Sequence, residues 1–200
     1  AGSGGGGSAA LPEALCTPPL ELASTAGATI VGDGTAASCT EAALRTAITA
    51  GGSITFDCGV APITLPITQT LVVPTDRDTV LDGGDLVTLD GQGTTQILRA
   101  EHGDFRVNTH TLTLQRLTLT RGNDTGTDFV PRDGTLTCAW GYKNGGGGAI
   151  RLRDMNLHVW GVTFEDNHGP SVGPDVAGGA IYSMGSLELV INQSVFRDNS

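Results

Sequence analysis

Acidic side chains near the ends of two similar segments are the first residues of the sequence that could do chemistry. Asp166 and Asp198 each precede the asparagine of a Phe-x-x-Asn motif, and Glu165 lies beside Asp166. If the two segments stack, these carboxylates come together, and clustered oxygen ligands bind Ca²⁺. The sequence therefore allows a calcium site at Asp166 and Asp198. We favour the alternative that both are solvated corner residues that cap backbone turns.

Polysaccharide cleavage is a second chemistry to consider, because it needs carboxylates and a base on one exposed face. The candidates are Arg151, Arg153, Asp154 and His158 in one segment, and Asp82, Asp85, Asp90 and Arg99 earlier in the chain. Arg151 and Arg153 alternate with Leu152, as on any solvent-facing strand. The catalytic residues are therefore unknown, and an enzyme is an alternative that we do not favour.

Two aromatic residues in a glycine-rich stretch could bind a glycan. Trp140 and Tyr142 lie in the segment Asp124–Gly148, which breaks the strand pattern and is expected to form a long projecting loop. Aromatic rings of this kind can stack on a sugar ring. The competing interpretation is that both rings pack back on the core.

The segment that must position these residues occurs twice in the sequence as a repeat. Gly147–Ile150 reads Gly-Gly-Ala-Ile and returns 31 residues later at Gly178–Ile181, whereas Phe164 returns 32 residues later as Phe196. A weaker copy spans Leu112–Asn123. Repeats of a few tens of residues are typical of solenoids. Each copy holds short alternating strands and turn glycines without a helical stripe, which predicts a stack of β-coils.

Stacking at about 4.8 Å would align equivalent residues into ladders along the stack. The expected ladder residues, structural rather than catalytic, are Phe164, Phe196, Asn123, Asn167, Asn199, Gly147, Gly148, Gly178 and Gly179. Stacked asparagines can hydrogen-bond to the coils above and below. The glycines would supply turns with positive φ or close backbone approach.

A short amphipathic helix is expected at about residues 40–50. Ser38 and Glu41 have capping-box spacing, and Gly51 suits the C-terminal end. Leu44, Ala47 and Ile48 form one apolar stripe. A solenoid has a hydrophobic end that must be covered, so this helix is expected to close the N-terminal end. An ordinary connecting helix is the alternative.

Four scattered cysteines predict two disulfides and an oxidising compartment. Cys39 and Cys58 flank the helix and the first strand after it, so we favour their pairing, which leaves Cys16 with Cys138. Buried free thiols are the alternative. No CxxC pair or histidine spacing suggests zinc, and no cofactor is expected.

Three regions divide the chain. Residues 1–10 form a Gly/Ser tract that reads as a flexible linker, either native or from cloning. Residues 11–37 form an extended segment, and residues 38–200 form the β-domain. The linker could follow a lipidated region removed from an exported lipoprotein, which would anchor the chain to a cell surface.

Charge and hydropathy exclude some partners. The net charge is −10 and Lys143 is the single lysine, so nucleic acid is not an expected partner. No apolar run reaches the ~20 residues that span a bilayer. The sequence therefore predicts neither a nucleic-acid-binding protein nor a transmembrane segment.

The repeat motifs carry a family resemblance. Gly-Gly-Ala-Ile with Phe-Glu-Asp-Asn or Phe-Arg-Asp-Asn resembles the paired motifs of polymorphic outer membrane protein repeats. The run from Ser38 to Gly93 is similar to the start of pectate-lyase-like domains in exported bacterial proteins. The resemblance implies an all-β fold, a right-handed parallel β-helix with a short N-terminal capping helix and long projecting loops. It also implies an extracellular or outer-surface location in a bacterium.

The expected function is that of a surface structural or adhesive module. The last strand pattern ends without a capping element, which predicts an open end of the coil. The chain could be a fragment, could pair with a second chain, or could assemble end to end into filaments. A polysaccharide lyase or glycoside hydrolase fragment is the alternative. Single-lysine composition departs from the Lys/Arg-rich active faces of the pectate-lyase-like family.

Overall fold

The structure is a computed structural model that describes residues 21–125, 145–171 and 177–200. These residues form mostly β-strands, and every strand pairing is parallel. The strands are β1 (Thr29–Gly32), β2 (Gly52–Asp57), β3 (Ile63–Pro66), β4 (Leu71–Val72), β5 (Thr79–Asp90), β6 (Leu98–Glu101), β7 (Thr111–Thr120), β8 (Ile150–Arg153), β9 (Asn156–Trp160), β10 (Thr163–Glu165), β11 (Ile181–Met184), β12 (Leu189–Asn192) and β13 (Val195–Arg197). One α-helix, α1 (Glu41–Ala50), lies between β1 and β2 in the described part of the chain.

The strands pair in three rows. The first row is β1, β2, the first half of β5, the first half of β7, β9 and β12. The second row is β3, the second halves of β5 and β7, β10 and β13. Because β5 and β7 run through both rows, these form one nine-stranded sheet, and β4, β6, β8 and β11 form a separate four-stranded sheet. From β2 onward the chain visits the three rows in a fixed cyclic order.

Apolar side chains at equivalent register positions stack on one another along each row. In the second row, Leu65, Leu89, Leu119 and Phe164 occupy one register position, and each is buried. Alternation of side chains along a strand sends every second residue inward. The core is therefore a set of aliphatic columns that run perpendicular to the strands.

The N-cap of helix α1 lies two residues after Ser38, the cap that the sequence suggested. Thr40 is the N-cap, and its side chain accepts a hydrogen bond from Ala43 N–H at 3.2 Å. The expected capping box of Ser38 with Glu41 is wrong, because the Ser38 hydroxyl instead accepts from Asp33 N–H and donates to Thr35 O. At the other end, Gly51 has φ +71° and its N–H bonds to the last turn.

Candidate functional site at the open end of the sheets

Strands β11, β12 and β13, which we call the terminal layer, are the last of each row. Each pairs along one edge only in the described residues: β11 with β8, β12 with β9 and β13 with β10. We call β8, β9 and β10 the preceding layer. The terminal layer therefore presents three unpaired strand edges at one end of the molecule.

The inward side chains of the terminal layer are exposed, unlike their partners. Phe196 is 46% exposed, whereas its register partner Phe164 is fully buried. Ile191 is 42% exposed, whereas its partner Val159 is fully buried. Further exposed apolar residues at this end are Leu187, Leu189 and Val195. The difference comes from position in the stack, since a following layer would cover these side chains.

The exposed side chains line a shallow concavity of about 560 Å³. Its lining includes Ala180, Ile181, Leu189, Ile191 and Phe196. The Phe196 ring stacks on that of Phe164 with centroids 4.7 Å apart. One face of the Phe196 ring is therefore held by the preceding layer.

Two asparagines bind the layer before them in the same way. Asn167 Oδ1 accepts from Gly122 N–H at 2.8 Å, and its Nδ2 donates to Leu119 O at 3.1 Å. Asn199 Oδ1 accepts from Asn167 N–H at 3.0 Å, and its Nδ2 donates to Phe164 O at 3.0 Å. We call this two-bond arrangement the asparagine clip. It gives Phe-x-x-Asn a structural role that depends on both amide atoms.

Asn123 does not belong to this ladder. The register that sets Phe164 beside Leu119 places Gly122 opposite Asn167. Asn123 lies one residue further, bridges His168, and donates from Nδ2 to Gly93 O at 2.7 Å. The expected three-asparagine ladder is therefore corrected to Asn167 and Asn199.

The repeated glycines lie where the backbones of adjacent layers approach closely. Gly147 N–H donates to Gly178 O and Gly148 N–H donates to Gly179 O, both at 2.6 Å. Gly147 and Gly178 have φ of +72° and +69°. A Cβ at either would overlap a carbonyl oxygen three residues on, in Ile150 or Ile181. These positions require glycine for both conformation and space.

Helix α1 covers the opposite end of the molecule. Leu44, Ala47 and Ile48 are buried in the core. The Glu41 carboxylate accepts from Thr68 Oγ1 at 2.7 Å and from the N–H groups of Thr68 and Gln69 at 3.1 Å each. Burial raises the pKa of Glu41, but the bonds from Thr68 and Arg45 outweigh it, so the pKa is lowered. Arg45 also donates to the carbonyl oxygens of Gln69 and Thr70.

A disulfide ties the helix to the strand that follows it. Cys39 and Cys58 are joined, with Cα atoms 5.6 Å apart, and these are the two cysteines whose pairing the sequence favoured. Cys39 lies next to the N-terminus of α1 and Cys58 directly after β2. Cys16 and Cys138 lie outside the described residues, as do Trp140 and Tyr142, so their predicted roles stay predictions.

The predicted calcium ligands, Asp166 and Asp198, lie at corners. Asp166 and Asp198 both have left-handed φ, at +53° and +54°. Asp166 Oδ1 lies 2.9 Å from a ring nitrogen of His168, and Glu165 pairs with Arg197 at 2.8 Å. Across residues 21–125, 145–171 and 177–200, no three His, Cys, Asp or Glu side chains are arranged to hold a metal ion. The geometry gives the calcium prediction no support.

Arginine partners hold the acidic residues that could have served an enzyme. Glu101, which no sequence motif singles out, bonds to Arg99 at 3.0 Å and to Arg151 at 2.9 Å. Burial raises the pKa of Glu101, but the two arginines outweigh it, so the pKa is lowered. Arg151 also lies 3.7 Å from Asp124. This group joins strands about 50 residues apart, and no local motif announces it.

Two further ion pairs lie at corners of the nine-stranded sheet. Asp82 bonds to Arg116 and Gln115, and Asp90 bonds to Arg121. The remaining sequence candidates lie apart from them. Asp154 is buried at the corner between β8 and β9, whereas His158 lies on β9, 3.2 Å from Glu188. The structure brings Arg99 and Arg151 together at Glu101 in the four-stranded sheet. The candidates Asp82, Asp90 and His158 lie in the nine-stranded sheet instead.

No described helix is both long and apolar enough to cross a membrane. Comparison with protein families, with curated proteins and with solved structures finds no match to this chain.

Proposed function

We propose that this chain is a right-handed parallel β-helix that serves as an extracellular, surface-anchored structural or adhesive module. Its working surface is the open end formed by the terminal layer. The cyclic order of three parallel rows supports the β-helix, and parallel crossovers are right-handed in nearly all proteins. The burial contrast between Phe164 and Phe196 carries the functional part, since an exposed core column marks an association surface.

The disulfide supports an extracellular location. Cys39 and Cys58 are bonded and buried, and such bonds persist in oxidising compartments. A structural module also fits the roles of the repeated residues, which bind layer to layer rather than line a catalytic cleft. The comparatively small aromatic content, 4% of the chain, agrees with a core of aliphatic columns.

Helix α1 opposes the end-to-end filament that the sequence suggested. Head-to-tail growth needs the terminal layer of one copy to stack on the first layer of the next. Helix α1 covers the part of that first layer at residues 68–70, where Glu41 and Arg45 bond to the backbone groups that a stacking partner would use. We therefore propose association at the terminal layer and not an indefinite filament.

Sedimentation velocity of the non-reduced chain over a range of concentrations tests this proposal. An unpaired apolar edge promotes pairing with other chains, so we expect reversible self-association at high concentration. Phe196→Glu should abolish it, because a charge then lies on the open end. Ile30→Glu is the matched control, since Ile30 is also exposed on an edge strand, β1, at the opposite end.

Each outcome separates the possibilities. Loss of association in Phe196→Glu alone supports the proposal that the chain associates through the terminal layer. Loss in both variants would indicate head-to-tail stacking, which electron microscopy would show as filaments. Association unchanged by Phe196→Glu, or absent in the native chain, contradicts the proposal.

The polysaccharide lyase or glycoside hydrolase alternative has less support. Such an enzyme needs a carboxylate or base that can exchange a proton with the substrate. Glu101 and Asp82 are each bonded to an arginine, and such pairing keeps a carboxylate ionised.

A further inference from the structure

We propose that residues 21–28, which we call the strap, open and close over the first row without unfolding of the sheet, and that the Gln115 side chain is the catch that holds them. The strap precedes β1. It contacts the outer face of the first row through Ser53 of β2 and Gln115 of β7. This device is independent of the association surface proposed above.

Two polar side chains that point out of the first row are nevertheless buried. Leu81 and Leu114 point into the core, so alternation along β5 and β7 turns Asp82 and Gln115 outward. Asp82 is 2% exposed and Gln115 is 1% exposed. An outward side chain of a sheet stays accessible to water unless another segment covers it. The strap is such a segment, because Ala23 lies against Gln115.

The Gln115 amide binds the backbone of a single strap residue. Its Oε1 accepts from Ala23 N–H at 2.9 Å, and its Nε2 donates to Ala23 O at 3.1 Å. Nε2 also donates to Asp82 Oδ2 at 2.8 Å, and Arg116 donates to the same carboxylate. A rotated amide would turn Oε1 toward the Asp82 carboxylate, which can only accept hydrogen bonds. The catch is therefore fixed in the orientation that Ala23 requires.

The rest of the strap is held weakly. Ser53 Oγ donates to Ser24 O at 3.3 Å, at an exposed position. Within the part of the chain that the structure describes, no backbone group of the strap bonds to the backbone of a strand. The strap turns into β1 through Gly27, which has φ +74° and where a Cβ would meet nothing within 4 Å. A segment with few bonds and an uncrowded turn opens locally at low free energy.

Opening of the strap would have two consequences. It would uncover Gln115 and Asp82 to water, and it would lengthen the chain that leads to the β-domain. Because an extended residue spans at most about 3.3–3.6 Å, an open strap would add up to about 28 Å of reach in a module anchored through its N-terminal side. The added reach rests on the proposed anchoring, whereas the strap itself does not.

Limited proteolysis of the native, non-reduced chain with a glutamate-specific protease tests the strap. Glu21 is exposed and lies two residues before Ala23, so cleavage after Glu21 requires release of the catch, and its rate follows the population of the open strap. We expect this cleavage while the bonds after Glu101 and Glu165 survive, because the sheet stays folded.

Gln115→Met keeps the length of the side chain and removes both bonds to Ala23. It should raise the rate of cleavage after Glu21 about tenfold, the factor expected for two ordinary hydrogen bonds. Ser53→Ala is the matched control, because it removes only the long, exposed bond to Ser24 and should change the rate less than about twofold. Amide exchange of the native chain, followed by NMR, needs no variant: Ala23 N–H should exchange faster than the amides of β5 and β7.

Three results would overturn the inference. Equal acceleration in Gln115→Met and Ser53→Ala would show that Gln115 is not the catch. Cleavage after Glu21 that occurs only together with cleavage after Glu101 and Glu165 would show that the strap opens only when the sheet unfolds. Exchange of Ala23 N–H as slow as that of β5 and β7 would show the same. None of these results bears on association at the terminal layer, so the two proposals can fail separately.

Discussion

Asparagine side chains join adjacent layers by bonds that an isolated strand could not form. Asn167 is fully buried and binds Gly122 N–H, Leu119 O and Asn199. Its importance was predictable from the repeat, because Phe-x-x-Asn occurs twice at nearly the same spacing. The register of the weaker third copy was not predictable. A one-residue offset places Gly122, and not Asn123, opposite Asn167.

Asn167→Ala should lower the free energy of unfolding by about 2–4 kcal/mol, because Gly122 N–H and Leu119 O lose their partner in a buried site. Asn123→Ala is the control. Its amide makes one described bond, at an exposed position, so the loss should be about 1 kcal/mol or less. Urea denaturation of the two variants measures the difference, and equal losses would contradict the clip's structural role.

Protonation of the single carboxylate of Asp82 should make the free energy of unfolding depend on pH. Burial raises its pKa, but bonds from Arg116 and Gln115 outweigh it, so the folded pKa lies below the usual value. A lowered folded pKa stabilises the protein above the unfolded value of about 3.9, and this contribution is lost as the pH falls through the folded value.

Asp82→Asn should therefore be destabilised by about 1.5–3 kcal/mol at pH 7, and the difference from the native chain should shrink below about pH 4. Asp76→Asn is the matched control, because Asp76 pairs with Arg77 at the surface. Guanidinium chloride denaturation at several pH values gives both curves. A difference for Asp82→Asn that does not shrink at all as the pH falls below about 4 would refute the assignment.

Turns between strands depend on glycines that differ in their surroundings. Gly147 and Gly161 both have positive φ, at +72° and +60°. A Cβ at Gly147 would overlap the Ile150 carbonyl, whereas a Cβ at Gly161 would meet nothing within 4 Å. The two positions therefore separate the cost of conformation from that of close approach.

Gly161→Ala should cost about 1–2 kcal/mol, the penalty for a left-handed alanine. Gly147→Ala should cost about 2–5 kcal/mol, since overpacking of about 1–3 kcal/mol is added. Thermal and urea denaturation measure both. Equal effects would show that the close approach to the Ile150 carbonyl adds nothing at Gly147.

Helix α1 illustrates what an element's sequence can predict. Its apolar stripe and Gly51 gave the right face and end, because both are local signals. Its capping was misassigned, since Glu41 binds Thr68 and Gln69, which lie 27 and 28 residues away. Such partners depend on the tertiary fold and leave no mark in the local spacing.

The disulfide links α1 to β2 and closes a loop of 19 residues. Replacement of both Cys39 and Cys58 by serine should lower stability by about 3 kcal/mol, mainly by freeing the unfolded chain. Denaturation of the double variant under non-reducing conditions checks this value. Reduction of the native chain should give a similar loss, and no change in either case would contradict a structural role.

At the scale of the molecule, the repeat predicted parallel stacking of short strands, and the three rows agree with it. The sequence could not predict the Glu101–Arg151 contact, because it joins residues 50 positions apart on separate strands. Among the described residues no strand covers the terminal layer, and Phe196 and Ile191 are exposed there.

Stability should also be uneven along the stack. The terminal layer is held along one edge and buries little of its apolar surface, so it should open locally at lower free energy than the central strands. Association would add protection there and nowhere else.

Hydrogen–deuterium exchange, read by mass spectrometry at low and high concentration of the native chain, shows which strands become covered on association. We expect amides of β11, β12 and β13 to exchange quickly in the dilute chain and to slow markedly on association, while those of β1 are unchanged. Protection gained at β1 instead, or no added protection in the terminal layer while the chain associates, would contradict the open end as the association surface.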